Sequence, residues 1–212
     1  MAYDLEEQEQ LAEMRAWWTK YGNLILTLLT VAMLAFAAFN VWRWYQRDQA
    51  EKAAGIYGQL EQAVRASDAA KAWTLAASLT ENFGGTIYAP MAALQAAKLA
   101  ADAGQPAKAR ESLSWVIEKS GHEELTWIAR IRLAGVLLDE KQFDQALQVL
   151  SVEVPPQQIT AVFDRRGDIL LGQGKNAEAR AAYTEALAKA DAQHPLRAII
   201  QLKLDSVPAS AT

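Results

Sequence analysis

Between Tyr21 and Trp42 the chain carries no charged side chain. Leu24–Trp42 is a run of 19 residues, almost all apolar, about 28 Å long as a helix. The hydrocarbon layer of a bilayer is roughly 30 Å thick, so this run is long enough to span one. Thr27 and Thr30 are tolerated inside it, because a hydroxyl can donate back to a carbonyl one turn earlier. Trp17, Trp18 and Tyr21 stand before the run and Trp42, Trp44 and Tyr45 close it, the bracketing expected of rings that prefer the headgroup region. Lys20, Arg43 and Arg47 can reach the phosphates from either end. A buried core helix rarely carries such flanks. Ala35-Phe36-Ala37 formally resembles a small-x-small cleavage site, but the preceding segment is acidic and the apolar run continues five residues past Ala37. An uncleaved anchor fits better than a signal peptide. The expected layout is an acidic tail over 1–22, a transmembrane helix over 23–43, a helical domain over 44–205 and a disordered tail over 206–212.

Charge narrows the partners. Asp4, Glu6, Glu7, Glu9 and Glu13 outweigh Arg15 and Lys20 in the first 42 residues, and the rest of the chain is near neutral, within a total of −4. A near-neutral domain without a basic run argues against nucleic acid as partner, because the phosphate backbone needs clustered Lys and Arg. The lipid bilayer is the partner that the span itself implies. Arg15 and Lys20 precede the span while Arg43, Arg47 and Lys52 follow it, a count that leans by one charge toward a cytoplasmic domain. The chain has no cysteine, which removes disulfides, thiolate metal sites and cysteine nucleophiles. His122 and His194 are too far apart in sequence for a metal-ligand spacing. No phosphate cradle, nucleophile motif or His-Glu metal helix occurs. The neighbours His122, Glu123 and Glu124 point in different directions on a helix, so they do not make an acid–base site. The expectation is a protein that is not an enzyme and uses no cofactor.

After the span, apolar and alanine positions recur every three or four residues. This periodicity predicts helices over 44–66 (continuous with the span), 69–83, 88–103, 106–119, 124–140, 143–150, 158–172, 175–190 and 195–204. An internal repeat is visible within them. Gly104-Gln-Pro-Ala107-Lys-Ala109-Arg110 matches Gly174-Lys-Asn-Ala177-Glu-Ala179-Arg180, and Lys141-Gln-Phe143-Asp-Gln-Ala146 stands more loosely in the same place. Ala97, Ala134 and Gly167 occupy the small-residue position of each first helix, with Leu113, Leu150 and Tyr183 as bulky partners on each second helix. This pattern resembles the tetratricopeptide repeat, a helical hairpin of about 34 residues; an unrelated alanine-rich bundle is the alternative. The expected fold is therefore all-α, one N-terminal transmembrane helix followed by a tetratricopeptide-repeat-like, right-handed stack of helical hairpins. Such stacks present their first helices on a concave face. By register that face carries Gln95, Lys98, Asp102, Arg132, Asp139, Arg165 and Asp168 as candidate partner-binding residues.

The whole chain resembles the YfgM family, ancillary subunits of the SecYEG translocon in Gram-negative inner membranes. The resemblance runs from the acidic tail through Lys20-Tyr21-Gly22, the span and Trp42-Arg43-Trp44-Tyr45. It continues with Tyr57, Ala63-Val64, Tyr88-Ala89, Arg132-Leu133-Ala134, Arg166-Gly167, Gly174 and Ala179-Arg180. It implies a single-pass type II protein of the inner membrane, with the N-terminus cytoplasmic and the repeat domain periplasmic. It further implies association with SecYEG and with a membrane-anchored periplasmic chaperone of the peptidyl-prolyl isomerase type. The implied role is to help pass emerging chains to periplasmic chaperones, with the cytoplasmic tail linked to envelope-stress signalling. It supplies no catalytic residues. A structural or assembly role without client contact is the alternative.

Overall fold

The computed structural model describes residues 2–208, with side chains from Glu7 onward. Nine α-helices and no strand occur among the described residues: α1 Ala2–Arg65, α2 Ala69–Asn82, α3 Tyr88–Asp102, α4 Pro106–Lys119, α5 Glu123–Asp139, α6 Phe143–Val149, α7 Ile159–Gly172, α8 Asn176–Lys189 and α9 Arg197–Ser206, with a 3-10 turn at Pro156–Gln158 before α7. The boundaries read from periodicity lie within two residues of these, the usual uncertainty of helix ends. The chain divides between Gln49 and Ala50 into two compact units.

The first unit is the helix over residues 2–49. Its apolar window has a mean hydropathy of 2.3 and none of it is buried, so it is long and apolar enough to cross a membrane. The hydroxyls of Thr27 and Thr30 donate to the carbonyls of Asn23 and Leu26 at 2.7 and 2.8 Å. Asn40 likewise donates to Phe36 O at 2.8 Å. These three side-chain donors are thereby met within the helix, as a hydrocarbon surrounding favours.

The second unit is built on one local device used four times. Ser67, Gly104, Lys141 and Gly174 have φ of 57°, 66°, 58° and 76°. At each, the left-handed residue donates its N–H to the carbonyl three residues back and its successor donates to the carbonyl five back. At Gly104 these bonds are Gly104 to Ala101 (3.0 Å) and Gln105 to Ala100 (2.8 Å); Ser67–Asp68, Lys141–Gln142 and Gly174–Lys175 repeat the pattern. This is the Schellman closure, which satisfies the last carbonyls of one helix and turns the chain sharply into the next. Three of these turns match the repeat seen in the sequence. The fourth, at Ser67, adds a hairpin made by the end of α1 and α2, so the unit holds four hairpins followed by α9.

The same register fixes the packing. Five residues after each left-handed residue stands a wholly buried alanine: Ala72, Ala109, Ala146 and Ala179. Seven residues before it stand Leu60, Ala97, Ala134 and Gly167, and nine after it Ala76, Leu113, Leu150 and Tyr183, all buried. Side-chain volume is exchanged between these two positions from hairpin to hairpin: Leu with Ala, Ala with Leu twice, then Gly with Tyr. A close-packed interior tolerates such swaps when the total is kept. Both α3 and α7 contribute to two apolar clusters, α3 to those on its α1–α2 and α5 sides and α7 to those on its α5 and α8–α9 sides. The core is thus continuous from hairpin to hairpin, as in stacked-repeat proteins.

α6 is the shortest helix, stopped ahead of Pro155-Pro156. Arg130 donates to Val149 O at 3.2 Å and Arg166 to Leu150 O at 2.7 Å, so two guanidinium groups cap its end. At the far end, Arg180 donates to Leu204 O and Val207 O at 3.1 and 3.0 Å. Ser206 and Val207, expected to belong to a frayed tail, are ordered: Ser206 closes α9, and Val207 is 3% exposed in the last apolar cluster. Residues 209–212 lie outside the described residues.

Candidate functional site

The hairpin stack brings part of the predicted face together. A groove of about 350 Å³ crosses α3, α5 and α7, lined by Lys98, Arg132, Asp139 and Arg165 with Ala97, Ala101, Leu113, Gly135 and Val136. Three cations from three successive first helices thus converge on one apolar-floored groove, faced by the single carboxylate of Asp139. The Arg165 guanidinium lies against the α5 backbone at Gly135, where a Cβ would stand 3.4 Å from the Arg165 Cζ, in ordinary contact. The sequence reading passed over Gly135, whose only signal was a glycine inside an otherwise regular helix.

The cations are not all free. Arg132 donates to Leu94 O on α3 at 3.4 Å. Lys98 pairs with Asp102 at 2.8 Å on the exposed surface. Arg165 donates to Asp168 at 3.2 Å, while its buried Nε has no hydrogen-bond partner within the protein. Exposed pairs of the Lys98–Asp102 kind contribute little and exchange readily with another partner.

The other predicted residues lie elsewhere. Gln95 is half-buried on α3 and hydrogen-bonded with the Tyr57 hydroxyl near the end of α1. Burial pushes the Tyr57 phenol above its ordinary value, the Gln95 bond opposes this and Glu61 adds to it. Asp102 is occupied by Lys98 and does not line the groove. Asp168 is the centre of an internal network. It accepts from the Tyr183 hydroxyl at 2.8 Å and pairs with Lys203 of α9 at 2.8 Å, besides its bond from Arg165. Lys203 also pairs with Asp164 at 2.8 Å. Burial raises the Asp164 carboxyl above its usual range and the negative charge of Asp168 adds to the rise, while Lys203 pulls it down. The Tyr183 phenol is pushed far up, first by burial and then by its bond to Asp168. This network fastens α9 onto α7 and α8. Neither Asp164 nor Lys203 was distinguishable in the sequence from ordinary surface charges.

The groove can hold charge and donate hydrogen bonds. No group of three or more His, Asp or Glu side chains that could hold a metal occurs among the described residues.

A family model of the tetratricopeptide repeat-like domain matches residues 15–209. A protein of Neisseria gonorrhoeae named Ancillary SecYEG translocon subunit is 29% identical over 208 residues, covering 98% of this chain and all of that one. Proteins of the same name from Aggregatibacter actinomycetemcomitans and Escherichia coli K12 are 27% and 26% identical, the first over 98% of this chain and 100% of its own, the second over 95% and 96%. No solved structure matches the chain. The full-length relatives meet the resemblance read from the residues, and their name describes a translocon subunit, not an enzyme.

Proposed function

The chain belongs to the tetratricopeptide repeat-like domain family, and from that premise we propose that it is a membrane-anchored protein-binding scaffold of the SecYEG translocon. It helps pass emerging chains to periplasmic chaperones, among them a membrane-anchored one of the peptidyl-prolyl isomerase type. It is a single-pass inner-membrane protein with a cytoplasmic N-terminus and a periplasmic repeat domain. The observation that carries the binding role is the convergence of Lys98, Arg132 and Arg165 in one groove. Carbonyls and carboxylates of an extended segment would replace the weak present partners of these cations, chiefly Asp102 and Leu94 O. The full-length relatives named as translocon subunits support the association.

One observation favours a second reading, a purely structural role. Arg132 and Arg165 already bond within the stack, as side chains that only hold helices together would. Affinity recovery of the full chain from mild detergent distinguishes the two. Reversing Lys98, Arg132 and Arg165 to Glu is expected to lose client and chaperone recovery while helicity and membrane insertion stay intact. Replacing residues 24–42 by an unrelated apolar span tests the competing route, packing of small residues in the span against another membrane helix. Loss of partners with the span swap and retention with the triple Glu variant would rule out the groove.

A further inference from the structure

A second groove lies on the second helices of the first two hairpins and shares no lining residue with the one across α3, α5 and α7. α2 and α4 each pack on α3, and a cleft of about 640 Å³ opens between them. Its floor is the buried alanines Ala76, Ala93 and Ala96, and its walls are the half-buried indoles of Trp73 on α2 and Trp115 on α4. The space persists because Ala77, Thr80 and Ser112, which face it, are small. Such a volume is within the range of small-molecule sites, roughly 300–1,000 Å³, and so has room for an inserted side chain. Tryptophan walls supply large contact area at low conformational cost, which is why indoles recur at binding hot spots.

The rim says which segment fits. Glu81 and Glu111 line the cleft, and neither has an ion-pair partner among the described residues. The cation among the lining residues, Lys108, sits 5.3 Å from the centre of the Trp73 ring. Its charge is directed at the indole face, a favourable placement for an ammonium. The cleft therefore offers an apolar slot beside exposed carboxylates without an ion-pair partner among the described residues, the inverse of the cation-lined groove. We propose that it binds a segment of unfolded polypeptide in which an aromatic or aliphatic side chain stands beside Lys or Arg. The apolar side chain enters between Trp73 and Trp115 and the basic one meets Glu81 or Glu111. Charge complementarity of this kind selects among partners and weakens with salt. The site is independent of the role proposed for Lys98, Arg132 and Arg165.

The test uses the full chain in zwitterionic lipid nanodiscs, with empty nanodiscs as the blank. The probe is a fluorescein-labelled peptide of about nine residues, roughly 30 Å when extended, with a Phe-Leu centre flanked by lysines. Fluorescence anisotropy measures its binding. Two variants act on exposed side chains: Ala77→Arg fills the cleft, and Glu81→Lys with Glu111→Lys reverses its rim. Each is expected to weaken binding by about tenfold or more, equivalent to about 1.4 kcal/mol, with the melting temperature unchanged. The triple Glu variant of the other groove should keep the peptide's affinity. Absence of binding below about 1 mM by the unmodified chain, unchanged affinity in either variant, or equal binding of a peptide with Glu in place of its lysines would overturn the proposal.

Discussion

The Tyr183 ring occupies the place of a side chain at Gly167: a Cβ built there would lie 2.4 Å from Tyr183 Cε1. Tyr183 is wholly buried, so the ring has nowhere to retreat. Gly167→Leu is therefore expected to destabilise by about 1–3 kcal/mol or more through overpacking. An exposed helical glycine would instead gain up to about 1 kcal/mol on substitution. Urea unfolding decides: a midpoint at or above that of the unmodified chain would remove this contact from the core.

The Tyr183 hydroxyl donates to Asp168 at 2.8 Å, which predicts a pH effect of defined sign. Burial and the carboxylates of Asp168 and Asp164 hold the folded phenol protonated, whereas in the unfolded chain it ionises near 10.0. Above that pH the folded state binds more protons than the unfolded one, so this group's contribution falls as pH rises further. Below it the contribution is constant. Tyr183→Phe should cost about 1.5–3 kcal/mol at neutral pH, as for a bond to a charged acceptor. The same variant should flatten the loss of thermal stability between about pH 10 and 11. Parallel curves for the two proteins would refute the assignment.

Lys141 takes the left-handed conformation, φ 58°, that Gly104 and Gly174 fill at equivalent turns. A Cβ there carries a steric cost of about 1–2 kcal/mol, partly offset by the smaller unfolded-state entropy of a non-glycine residue. Lys141→Gly is expected to stabilise by up to about 1 kcal/mol, and Gly174→Ala to destabilise by about the same amount. Calorimetric melting of both variants checks the pair of signs.

The proposed periplasmic domain predicts that alkaline phosphatase fused to the C-terminus is active and a cytoplasm-only reporter silent. The junction belongs after Pro208, because a fusion after Asp205 would remove Val207 from its packed position and take away one of the two carbonyls that Arg180 meets. The opposite reporter pattern would reverse the topology.

How much was legible beforehand varies with the kind of interaction involved. The span and the order of helices could be read directly, because an uncharged apolar run and a three-to-four-residue period are properties of consecutive residues. Three of the four hairpin turns showed themselves through Gly104, Gly174 and the alanines that follow them. The break at 67–68 was read from periodicity too, but not its kinship with the other three, because a serine at φ 57° carries no glycine signal. Register also placed Lys98, Arg132, Asp139 and Arg165 on one face, and these four line the groove. It could not separate them from Asp168, which belongs to the same face but is turned to Tyr183 and Lys203. Lys203 lies 35 residues away in the chain, and only the folding of α9 onto α7 brings it near. Periodicity determines which side of a helix a residue stands on. Which of several oppositely charged or hydrogen-bonding groups it meets depends on helices far along the chain, and that was decided by the tertiary packing alone.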